Sequence, residues 1–181
     1  MNRTLKLWIA SIFSLFLCAC VSQSEKQTVN LEQAAKARVE LGLGYLAQND
    51  FVQSKKNLDK ALAHSPNSYL VHSALAYFYQ KQGDAENATN AYLTAIKISP
   101  QQGDVLNNYG AFLCSQGKFE QAYAHFEQAL QSKNYYQQAD TYENMALCAF
   151  AQRNTEIYQH AVQKLMNIDE SRVRKLPKTL K

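Results

Sequence analysis

Residues Tyr69–Gln102, YLVHSALAYFYQKQGDAENATNAYLTAIKISPQQ, decide how the whole chain is read. Leu75, Ala76 and Tyr79 share one face of a first helix, and a turn follows at Gly83-Asp84. Ala88, Tyr92 and Ala95 then mark one face of a second helix, which Pro100 closes. Shifted 34 residues toward the N-terminus, the pattern returns as Leu41, Gly42, Tyr45, Ser54, Leu58, Ala61 and Pro66. Shifted 34 residues the other way, it returns as Tyr109, Gly110, Leu113, Ala122, Phe126 and Ala129, with Asn134 where proline stood. The three copies align without a gap.

A gapless period of 34 residues with small and large side chains at fixed offsets is the signature of tetratricopeptide helix-turn-helix repeats. The small residue of the first helix (Gly42, Ala76, Gly110) lets Ser54, Ala88 or Ala122 of the second approach closely. Leu58, Tyr92 and Phe126 then fill the space toward the next repeat. No pair buries both of its faces alone, so stability comes from stacking neighbours. The expected fold class is all-α, a tetratricopeptide-repeat superhelix (α-solenoid) of about four units spanning residues 34–170. The repeats fall near residues 35–68, 69–102, 103–138 and 139–170.

The fourth unit departs from the pattern. Its register slips by two residues through Asn134-Tyr135-Tyr136-Gln137, after which it reads Met145, Ala146, Ala149, Tyr158, Val162 and Leu165. Tyr158 stands where a small residue is expected, and Asn154-Thr155 replaces the tight turn. Terminal units degrade in this way because they cap the stack.

The formal charge of +4 is unevenly placed. Arg3 and Lys6 lie at the start, and Arg172, Arg174, Lys175, Lys178 and Lys181 lie within residues 171–181. Without those seven, twelve basic side chains face fifteen acidic ones between residues 20 and 170, a net charge of −3. A mildly acidic body argues against nucleic acid, which calls for a concentrated basic face. The basic segment 171–181 is expected to be a solvated, frayed end, with anionic lipid or an acidic partner as the other reading.

Residues 1–19 read as a signal peptide: basic Arg3 and Lys6, then an apolar run from Leu7 to Leu17 that is too short to cross a bilayer. The run ends in Leu17-Cys18-Ala19-Cys20, which resembles a bacterial lipobox with cleavage before Cys20 and lipid on the new N-terminal cysteine. More than one acyl chain gives stable anchoring. Val21 and Ser22, rather than an aspartate, follow the cysteine, and in Gram-negative lipoproteins this resemblance implies sorting to the outer membrane, facing the periplasm. Residues 20–33 have no apolar periodicity and are expected to form an extended tether reaching roughly 40 Å.

In repeats of this kind the first helix of each pair lines a groove, through places near the second, fifth, ninth and twelfth. Counted so, the expected partner-binding residues are Val39, Leu43, Leu46, Leu70, Tyr77 and Asn107, apolar toward the N-terminus and polar at the centre. An exposed apolar strip marks a partner's docking site; the other reading is that the chain's own segment before Leu31 covers Val39, Leu43 and Leu46.

Little in the sequence points to catalysis. His64, His72, His125 and His160 fall on separate repeats without metal-ligand spacing, and no phosphate loop, nucleophile elbow or His-Glu-x-x-His helix occurs. Asp140 and Glu143, one turn apart on the groove side of the fourth unit, suit the receipt of a partner's basic group better than acid–base work. Cys114 and Cys148 lie on adjacent first helices, out of step along them, and are expected to be buried free thiols; a bridge would require Cα atoms within about 7 Å. No cofactor beyond the lipid on Cys20, no metal and no small-molecule substrate is expected.

The runs AAKARVELGLGYLAQNDF (Ala34–Phe51) and NNYGAFLCSQGKFEQAYAHFEQAL (Asn107–Leu130), with the lipobox, resemble the type IV pilus biogenesis lipoproteins PilF and PilW. That resemblance implies a non-enzymatic pilotin, an outer-membrane lipoprotein that binds the pilus secretin subunit and promotes its outer-membrane localisation and assembly into a multimeric channel. Some members carry about six repeats, so binding here is expected on the first repeats. The competing expectation is a general periplasmic repeat lipoprotein that scaffolds cell-wall enzymes or another envelope assembly.

Overall fold

The computed structural model describes residues 21–177, and among these every regular element is a helix. In chain order they are α1 (Val21–Ala47), α2 (Phe51–His64), α3 (Tyr69–Gln82), α4 (Ala85–Ile98) and α5 (Gly103–Ser115). These are followed by α6 (Phe119–Gln131), α7 (Gln138–Gln152), α8 (Thr155–Ile168) and the one-turn α9 (Glu170–Val173). Residues 1–19, expected to be a signal peptide, and Cys20 lie outside the described residues.

A single turn recurs in each pair. The backbone is left-handed at Asn49 (φ 60°), Gly83 (78°), Gly117 (73°) and Arg153 (63°). Immediately after it, the N–H of Asp50, Asp84, Lys118 or Asn154 reaches back to the carbonyl of Tyr45, Tyr79, Leu113 or Ala149, at 2.9–3.0 Å. This bond satisfies a carbonyl that the first helix leaves open at its end. The same residue then caps the second helix in three pairs: Asp50, Asp84 and Asn154 accept from the N–H of Gln53, Asn87 and Ile157. The fourth unit therefore keeps the tight turn, contrary to the expectation for Asn154-Thr155, with Arg153 in the left-handed place that glycine fills in α3–α4 and α5–α6.

The described chain forms two compact units, one ending at Val71 and the other beginning at His72. In the first, α1 packs along α2. A Cβ placed on Gly42 would lie 2.9 Å from Leu58, so the small residue sets the approach of the two helices. Ser54, Leu58 and Ala61 are fully buried, and the Arg38 guanidinium donates to Asn57 at 3.0 Å. Residues 21–33, expected as an extended tether, are instead the start of α1. Adding residues to a helix already nucleated costs little, and Glu25, Lys26, Gln27, Glu32 and Gln33 are good helix formers, so the first repeat propagates backward.

In the second unit, Tyr92 is the centre of an aromatic cluster, 5.2 Å from the ring of Tyr109 and 5.6 Å from that of Phe112. Burial, with the neighbouring Tyr77 phenol as a lesser cause, pushes the Tyr92 phenol far above its ordinary pKa, and its hydroxyl donates to Gln80 at 3.0 Å. The two extra residues between the third and fourth pairs also have a structural use. With Asn134 left-handed, the loop folds Tyr135 down onto Leu106 and Ala129, over Gly103, and its hydroxyl bonds Thr141 at 2.8 Å. The slip in register is filled with core.

Candidate partner-binding groove

Helical geometry sorts the residues expected to line the groove. Successive side chains turn by about 100°, so places three before and four after the small residue lie within about 60° of it and face the second helix. Val39 and Leu46 hold those places around Gly42 and are 2% and 3% exposed, which corrects their assignment to an open apolar strip. Ala35, Val39, Gly42 and Leu46 form a single stripe against α2. Asn107, three before Gly110, is buried for the same reason, and its Oδ1 accepts from the Asn144 amide at 3.1 Å. Leu43 and Leu70 are half-buried. Tyr77 alone among the six is an exposed large side chain, 41% accessible.

The place one residue after the small one, turned about 100° away from α4, α6 or α8, is what opens outward. In the second unit it holds Tyr77, Ala111 and Leu147, of which Tyr77 and Leu147 are exposed. Between them Tyr77, Gln80, Tyr92, Asn108, Ala111 and Asn144 line a pocket of about 350 Å³. The Lys81 ammonium lies 5.3 Å from the centre of the Tyr77 ring, a cation–π arrangement. Its lining combines the amides of Gln80, Asn108 and Asn144 with the rings of Tyr77 and Tyr92. Such a surface offers hydrogen bonds to a peptide backbone and apolar contact to its side chains.

At one end of this face stand Asp140 and Glu143. The guanidinium of Arg172 sits against both, bonded to Asp140 and 3.2 Å from Glu143 Oε2. The basic group these carboxylates receive is thus the chain's own. The segment carrying it is not frayed as expected: Leu176 is 5% exposed, and the Tyr158 hydroxyl donates to the Pro177 carbonyl. Tyr158, oversized for its place on α8, also lies 6.1 Å from the Phe150 ring. Only residues 178–181 of the basic segment lie outside the described residues.

Cys114 and Cys148 form a disulfide, with Cα atoms 5.8 Å apart, which overturns the expectation of free thiols. Their stagger is what makes the bridge. Cys148 follows Ala146 by two residues, as Phe112 follows Gly110, and Phe112 points back to Tyr92 of the preceding pair. By the same register Cys148 points back from α7 toward α5, which carries Cys114.

His125 packs against Tyr109 with ring centres 4.8 Å apart, and burial lowers its pKa. Among the described residues no group of three metal-ligating side chains converges.

The sequence matches the tetratricopeptide repeat family over residues 45–107 and again over residues 91–124. An uncharacterized protein of Haemophilus influenzae is 55% identical over 166 residues, covering 92% of both chains. PilF of Pseudomonas aeruginosa, a type IV pilus assembly protein, is 31% identical over 148 residues. The chain is a tetratricopeptide repeat protein related to PilF. It spans 80% of itself and 59% of PilF in that match. The solved structure of PilF superposes with a TM-score of 0.73 at 30% identity, over 78% of this chain and 64% of that one. PilW, a type IV pilus biogenesis factor, superposes with a TM-score of 0.70 at 23% identity over 75% and 62% of the two chains, a likeness of fold.

Proposed function

We propose that this protein is a lipid-anchored pilotin: a non-catalytic lipoprotein, held to the periplasmic side of the outer membrane by acylated Cys20, that binds the secretin subunit of the type IV pilus and promotes its assembly. The observation that carries the reading is the relationship to PilF, a type IV pilus assembly protein, across four-fifths of the chain. The lipobox-like Leu17-Cys18-Ala19-Cys20 supports the anchor, and the face that carries exposed Tyr77 and Leu147 and the amides of Gln80, Asn108 and Asn144 supports capture of a polypeptide. Holding the subunit at the membrane raises its local concentration and favours ring formation there.

The test is made in the cell. Tyr77→Glu with Leu147→Glu puts two charges on the open face without entering the core. Heat-resistant secretin multimers on gels are expected to fall to less than half their normal level, with the protein's own abundance unchanged. Cys20→Ser is expected to move the protein from the outer-membrane fraction to the soluble periplasm. Normal multimers in the double variant, or a cell-wall enzyme as the main protein recovered with the lipidated chain, would overturn the secretin assignment.

A further inference from the structure

The face of α3, α5 and α7 is acidic at one end, and the structure shows what kind of group that end holds. Asp140, Glu143 and Asp104 all stand on first helices, and burial followed by the charges of Asp140 and Asp104 raises the pKa of Tyr135, opposed by its hydrogen bond with Thr141. Against Asp140 and Glu143 stands one guanidinium, Arg172, a third of its side chain exposed and its Nε 3.6 Å from Asp169 of its own segment. Its mooring is slight. Arg172 belongs to α9, a helix of four residues, below the length at which a helix holds itself together. The segment is otherwise fastened by Leu176, by the Tyr158–Pro177 bond and by contacts of α9 with α8. Asp140 and Glu143 are 41% and 29% exposed, and an ion pair this open to water shifts an equilibrium by no more than about fivefold.

We propose that the Asp140–Glu143 end of this face is a receptor for a basic segment of a protein partner, and that Arg172 occupies it in the free protein as a displaceable stand-in. The partner's contact is an arginine or lysine side chain that takes the place of Arg172 between the two carboxylates. An arginine fits best, since its planar fork can reach both carboxylates as Arg172 does. Because the site is open only in the fraction of molecules whose 169–177 segment has lifted, the partner's apparent affinity is reduced by that fraction. The proposal rests on the reading that this face binds protein but does not depend on the partner being a secretin.

The probe is a fluorescently labelled peptide of residues 169–181, DESRVRKLPKTLK, titrated by anisotropy into the purified full chain. Arg172→Ala in the chain is expected to bind it about three- to fivefold more tightly than the unaltered chain, because the internal competitor is weakened. Adding Asp140→Asn and Glu143→Gln to that variant is expected to weaken binding at least tenfold, and Arg172→Lys to fall between the unaltered chain and Arg172→Ala. Circular dichroism confirms that each variant is folded, and all three side chains are exposed enough to be replaced without opening the core. Affinity of the Arg172→Ala chain within twofold of the unaltered one, or no loss on neutralising the two carboxylates, would overturn the proposal. Either result leaves the secretin assignment standing, and loss of that assignment leaves this one standing.

Discussion

The third and fourth helix pairs perform the same architectural task with different side chains. In the third, Gly110 is small enough for the Phe126 ring to lie on it, where a Cβ would come within 2.7 Å of the ring. In the fourth, Ala146 is the small residue, fully buried, and the opposing position is the smaller Val162. The third turns at Gly117 and leaves Lys118 without a side-chain cap, whereas the fourth turns at Arg153 and caps with Asn154. Volume is traded between positions, and so are turn strain and capping. The fourth pair is therefore less degraded than it reads. Its one oversized side chain, Tyr158, is used to hold the segment that follows.

The disulfide ties these two pairs together, and breaking it is the largest disturbance available. Cys114→Ser with Cys148→Ser releases a cross-link between residues 34 apart, and loop-closure entropy sets the loss at about 2–4 kcal/mol. Urea unfolding of oxidised protein and double variant, followed by circular dichroism, measures it. Equal midpoints would mean that packing of α5 on α7 needs no cross-link. Next comes Gly110→Ala, which forces the Phe126 ring aside and is expected to cost about 1–3 kcal/mol in the same assay. A cost near zero would show that the third pair relaxes as easily as the fourth, where alanine is native. The smallest effect has the opposite sign. Arg153→Gly removes a side chain from a left-handed residue and is expected to add about 1 kcal/mol, raising the unfolding midpoint. No gain would indicate that the arginine side chain makes a compensating contact.

Local rules made much of this protein legible from its residues. The 34-residue spacing of small and large side chains, Gly83 and Gly117 at the turns, and Asp50 and Asp84 as caps each specify a backbone event within a few residues of themselves. Repetition then multiplies a modest local signal into a fold. Even the separation of buried from open groove positions follows from helical rotation. Val39, Leu46 and Asn107 are buried rather than open because a residue's place in the repeat count does not carry the angle it makes with Gly42 or Gly110.

What the chain alone could not supply are contacts between elements whose relation depends on how helices cross and how loops return. The Cys114–Cys148 bridge turns on the direction of two side chains across neighbouring helices, which an offset along the sequence does not reveal. Tyr135 in the core and Arg172 between Asp140 and Glu143 both require a loop or a terminal turn to fold back over helices already packed. Short-range sterics and periodicity determined which helices form and which faces they bury. Only tertiary packing, where burial is repaid or refused by neighbours distant in sequence, decided which charges and thiols meet.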